Sequence, residues 1–230
     1  MGKATALVER LKTAGSDLSS DLADEIVARA GETMPLLLEM LAGHGATAEH
    51  AATDDCEACG AQHDDLEYAP LHAVDLLADI GDPRAIDAMV KVLETTSPDE
   101  SIHDKVVERL PNFGGAALES ILQAHARTPK EADLAESLCC VLAALDVRDP
   151  RVLQALLELL KTRPRAAAVY LAEYGDAAAC PPLLDAIRAA KIERADLDAQ
   201  MEWLDVIDAY TTLGGELPQE IRDRMAPNET

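Results

Sequence analysis

Residues 43–67 of this 230-residue chain read GHGATAEHAATDDCEACGAQHDDLE and gather His44, His50, Cys56, Cys59 and His63, which is three of the six histidines and two of the five cysteines. Cys56-x2-Cys59 lets two thiolates aim at one ion, and His63 can reach the same point. His50 or His44, or His72 from the start of the next helix, would then complete a tetrahedral Cys2His2 set. Zinc is the cofactor such a set favours, because thiolate and imidazole suit it and nearby carboxylates attract the cation. The same 25 residues hold seven acids and no Lys or Arg. They therefore also read as an acidic surface loop with an incidental Cys pair, a composition common in surface loops. A CxxC redox pair is opposed by those carboxylates, which disfavour a thiolate, and by the lack of a βαβ pattern around it. The alternative for His72 is a partly exposed helix residue.

The remaining thiols are plainer. Cys139 and Cys140 are vicinal, so a bond between them would be strained; they flank the apolar positions Leu138 and Val141, where a thiol sensor is an alternative to bland thiols. Cys180 aligns with Ile86 of an earlier segment and reads as a small core residue. An odd number of cysteines without a dense framework points to reduced thiols and a cytoplasmic protein. No GxSxG, Gly-rich phosphate loop or HExxH occurs in the sequence, so the expectation is a binding protein and not an enzyme.

Charge narrows the partners. Forty-three acidic against 20 basic residues give a formal charge of −23, which repels phosphate backbones and anionic headgroups. A basic protein partner is expected, with no nucleic acid and no membrane. No run approaches the roughly 18 apolar residues of a membrane span, and MGKATALVERLK lacks a signal-peptide core. Gly2 is a poor myristoylation site because Ala6 stands where Ser or Thr is expected. With 48% apolar but only 3% aromatic residues, rich in Ala and Leu, the chain should be all-α.

The elements that must carry these residues repeat. AVDLLADIGDPRAIDAMVKVL at 73–93 recurs as CVLAALDVRDPRVLQALLELL at 140–160 and more weakly as AVYLAEYGDAAACPPLLDAI at 168–187. Ala69, Ala73, Leu76, Leu77 and Ile80 form one helical stripe; Gly81 ends it; Asp82 caps and Pro83 opens the next helix, whose stripe is Ile86, Met89, Val90 and Leu93. Leu134, Leu138, Val141, Leu142 and Leu145 precede Asp149 and Pro150, then Leu153, Leu156, Leu157 and Leu160. A degenerate copy turns at Gly114 and Gly115, with Pro111 shortening its first helix. The Pro181–Pro182 pair implies a late start for its helix. The last copy runs Leu204, Ile207, Leu213, Gly214, Gly215, then Leu217, Ile221 and Met225, and the first turns at Gly31. The count is six helix pairs after a short leading helix.

LLADIGDPRAIDAMVKVL resembles a HEAT repeat of the short bacterial kind also found in phycobilisome lyases, and the resemblance extends over most of residues 66–190. It implies a right-handed α-solenoid of about six HEAT-like helix pairs, a single domain over 1–225 with a disordered tail at 226–230, whose second helices line the concave face. Asp82, Asp149 and Asp176, with Arg84 and Arg151, match the family's turn positions, which implies that they bind turn backbone and neighbouring repeats. HEAT-like hydroxylases hold iron with His-Glu pairs, and this chain has no His-Glu dipeptide. HEAT-like DNA glycosylases use a basic, aromatic groove, the opposite of this charge. The chain should therefore be an interaction scaffold or adaptor whose concave face carries Asp87, Lys91, Glu94, Gln123, Gln154, Glu158, Lys161, Asp185 and Arg188, with a zinc-dependent protein built on 43–67 as the alternative.

Overall fold

A computed structural model describes residues 2–47, 63–190 and 197–225. Among these residues there are thirteen α-helices and no strand. They run α1 Lys3–Leu11, α2 Ser20–Val27, α3 Ala30–Thr47, α4 His63–Ile80, α5 Ile86–Thr95, α6 Ser101–Arg109, α7 Leu118–Arg127, α8 Asp133–Ala144, α9 Pro150–Leu159, α10 Pro164–Tyr174, α11 Cys180–Ala189, α12 Leu197–Thr212 and α13 Gln219–Met225. None is long and apolar enough to cross a membrane.

Residues 1–124 and 125–230 form two compact units. In the first, α4 packs on α2, α3 and α6, and α5 packs on α3 and α6. α4 and α5 bury most of the stripes their periodicity prescribes, with Ala73, Leu76 and Leu77 on α4 and Ile86, Met89, Val90 and Leu93 on α5. In the second, α8 packs on α9 and α10, and α12 on α10 and α11, around Leu138, Val141, Leu142, Leu156 and Leu171. This is helix-pair stacking, in which each pair covers the apolar face its neighbour cannot bury alone.

Several boundaries depart from the sequence expectation. α3 begins at Ala30, so Gly31 lies inside a helix and not in a turn; backbone bonds from Arg29 to Ile26 (3.1 Å) and Glu32 to Arg29 (2.8 Å) carry the chain round without it. α3 continues to Thr47 and α4 begins at His63, so both ends of the 43–67 insert have helical backbone. α11 starts at Cys180, ahead of Pro181 and Pro182, because a proline in a first turn gives up only an N–H that would have no helical partner. Pro111 does end α6, in a 3-10 turn over Leu110–Ala116.

The 73–93 and 140–160 copies also differ at the turn. α4 ends at Gly81, which takes φ +67, whereas α8 stops three residues sooner on that alignment and its left-handed residue is Asp146, φ +53. Arg148 stands where the earlier copy has Gly81, so the αL position falls on the nearest short polar side chain able to adopt it. Tyr174 braces the longer turn: its hydroxyl donates to the Asp149 carbonyl and accepts from the Asp149 N–H, each at 3.0 Å, and Arg148 stacks over its ring at 4.8 Å.

Candidate interaction surface

The turns position the second helices, and they do so with one device. The Asp82 carboxylate accepts from the Arg84 backbone N–H at 2.9 Å and holds the Arg84 guanidinium with Nε at 3.0 Å and Nη2 at 2.7 Å. Asp149 repeats this on Arg151 at 2.8, 3.0 and 2.8 Å. Asp176 keeps the backbone half alone, accepting from Ala178 N–H at 2.9 Å. The Arg84 hydrogen bonds hold the Asp82 pKa down to about 2, and Arg151 lowers that of Asp149 in the same way. These aspartates are caps that set the entry angle of the following helix, as the sequence predicted.

Residues 71–95, which span this turn and α5, match the family model of the PBS lyase HEAT-like repeat. The chain carries a HEAT-like repeat. No curated protein and no solved structure gives a significant match to it.

On this HEAT-like repeat, α5 presents Asp87 and Lys91 to solvent. Asp87 accepts from the Ser120 hydroxyl of α7 at 2.8 Å, and Lys91 lies 3.4 Å from Glu94. Gln123 is exposed on α7. Beside them, Leu41, Ala42, Ala88, Lys91, Val92 and Thr95 line an open groove of about 210 Å³ between α3 and α5.

In the second unit, Gln154 is exposed on α9 and donates to Glu158 at 3.2 Å. Glu158 is also paired with Lys130, whose hydrogen bond is the main reason its pKa is lowered. His125 lies alongside; burial lowers its pKa, and the Glu158 charge opposes that shift. On α11, Asp185 is exposed, and Arg188 donates to Glu220 of α13 at 2.8 Å. Sequence reading missed Ser120, Lys130, His125 and Glu220. Each meets its partner across some 28 to 33 residues of chain, a range over which no helical periodicity carries information.

The proposed metal ligands fare differently. His50, Cys56 and Cys59 lie outside the described residues, as do the side chains of His44 and His63. His72 is buried, 8% exposed, with Nε2 hydrogen-bonded to the Gly15 carbonyl at 2.8 Å. It is not the partly exposed side chain expected, and that nitrogen is already committed. Among the described residues no three His, Cys, Asp or Glu converge as a metal-holding group.

On α8, Cys139 is a core residue and Cys140 is half-buried. Cys139 is fully buried, and burial pushes its pKa up to about 12. Cys140 is also shifted upward by burial, against a hydrogen bond with Tyr170. Both shifts hold the sulfur in the unreactive thiol form, the opposite of what a sensor requires.

Proposed function

We propose that this protein is a non-enzymatic interaction scaffold, with the second-helix residues Asp87, Lys91, Gln123, Gln154, Glu158, Asp185 and Arg188 meeting a basic protein partner. The observation that carries the reading is the HEAT-like repeat at 71–95: such repeats generally mediate protein–protein interaction, and the rigid turn clamps keep the second helices in fixed register for it. The charge of −23 selects a basic protein over nucleic acid or an anionic membrane. Protein immobilised and exposed to a cell extract should retain a basic protein, with association slowing as ionic strength rises. Asp87→Lys with Glu158→Lys should weaken that complex on the order of tenfold. A salt-insensitive complex, or tight binding of duplex DNA instead, would count against the proposal.

We also propose the zinc reading of the insert as an independent one, supported by the Cys56-x2-Cys59-x3-His63 spacing with His50 or His44 as the fourth donor. Native protein should then carry about one zinc ion per chain, binding should release protons, and Cys56→Ser with Cys59→Ser should remove the metal while leaving helix content intact. Elemental analysis without a transition metal would end it.

A further inference from the structure

The last long helix turns a bulky apolar row to solvent. On α12, Leu197 is 72% exposed, Met201 48% and Leu204 42%. Their spacing of four and three residues places them in line along one face. The helix is nevertheless well anchored: Trp203, Val206, Ile207 and Tyr210 are buried on its other side, and the Trp203 indole N–H donates to the Ile187 carbonyl at 3.1 Å. Scattered exposed apolar residues need no explanation, but three in register on a fixed helix form a patch of the kind that binds.

A second row runs beside the first. Asp198, Glu202 and Asp205 each follow one residue after Leu197, Met201 and Leu204, so they share the same four-and-three spacing along the adjacent flank. Asp208 continues the apolar line at its C-terminal end. α12 carries no basic side chain; Arg165 of α10 reaches Asp205 at 2.8 Å. Beyond the acid row, Ala186 and Ala189 of α11, Ala190 just after it, and Ala199, Glu202 and Trp203 of α12 contribute to a largely apolar groove of about 290 Å³.

We propose that this face of α12 docks a basic amphipathic helix of a partner protein, the partner's apolar row packing on Leu197, Met201 and Leu204 and its Lys/Arg row facing Asp198, Glu202 and Asp205. The inference rests on the scaffold reading above and assigns it a second, distinct surface. Charge decides the occupant. An antiparallel two-fold contact between copies would bring each acid row against its equivalent, and a parallel one would set it against another flank of α12, which carries no basic side chain, in a chain of net charge −23; a helix with apolar residues at i, i+4 and i+7 and cations on one flank satisfies both rows.

The test uses a labelled amphipathic Leu/Lys peptide of about 18 residues, long enough to be helical when bound, and its Leu/Glu counterpart, each titrated against the whole protein by fluorescence anisotropy. The Leu/Lys peptide should bind and the Leu/Glu peptide should not. Met201→Ser with Leu204→Ser should weaken binding about tenfold or more, and Asp198→Asn with Glu202→Gln should weaken it and flatten its salt dependence. Both pairs change exposed or half-exposed positions, and circular dichroism should show unchanged helix content. Wild-type affinity in both pairs would overturn the inference. If the peptide is instead lost on Asp87→Lys with Glu158→Lys, the docking surface lies on the second helices; the scaffold reading then stands and the α12 assignment falls. A concentration-dependent dimer abolished by Met201→Ser with Leu204→Ser, with no peptide binding, would assign the face to a second copy and also overturn it.

Discussion

Leu142→Asp is expected to abolish cooperative folding of residues 125–230. Leu142 is fully buried on α8, which packs against both α9 and α10. The substitution removes a leucine from a close-packed site, at a cost of about 2–5 kcal/mol. It also buries a carboxylate in that apolar site, which costs several kcal/mol more unless the group is protonated. Together these approach the roughly 5–15 kcal/mol that a whole domain possesses. Hydrogen exchange should show loss of protection across α8, α9 and α10, while Leu142→Ala should lower stability by about 2–5 kcal/mol and keep the fold. Native-like protection in Leu142→Asp would mean that α8 is not the packed centre of its unit.

Gly215→Ala should destabilise the same unit by about 2–4 kcal/mol through overpacking and a strained hydrogen bond. A Cβ at Gly215 would stand 2.5 Å from Cε1 and Cε2 of Tyr210, over the ring and not at the end of a flexible side chain. The ring cannot easily yield. Tyr210 is buried, its hydroxyl donates to the Glu216 carbonyl at 3.2 Å, and its own carbonyl accepts from Gly215 N–H at 2.9 Å. Thermal or denaturant unfolding measures the loss, and Gly215→Ala in a Tyr210→Ala background should cost much less than the two changes added separately. Gly31→Ala is the contrasting control: nothing lies within 4 Å of its Cβ and the position is inside α3, so stability should stay level or rise by about 0.5–1 kcal/mol. Equal losses at both glycines would show that the Tyr210 contact is not the cause.

The two substitutions mark how far the sequence could be read. Leu142 was legible because a helix pair must bury one face, and the 3.6-residue spacing of apolar side chains shows which face that is. The same rule identified Leu76, Leu77, Met89, Leu138 and Leu156 as buried, and the Asp82 and Asp149 caps followed from Asp-Pro-Arg chemistry confined to one turn. Gly215 was legible only as a turn glycine. Its clash with Tyr210 depends on how the chain folds back after α12.

Periodicity also misassigned one row. Leu204 reads as part of the last core stripe beside Ile207, yet Ile207 is buried and Leu204 is 42% exposed. α12 has apolar residues on more than one side, and the positions of α10 and α11 decide which side is covered. His72 shows the same limit, since its partner Gly15 lies 57 residues away. The sequence by itself determined the helical class, the repeat, most of the buried stripes and the net charge, because these depend on side-chain type and on spacing within a single turn or helix. Only the tertiary structure decided that α8 ends early, at Ala144, that Asp87, Glu158 and Arg188 are held by Ser120, Lys130 and Glu220, and that α12 leaves Leu197, Met201 and Leu204 uncovered, because those outcomes depend on which distant helix arrives alongside.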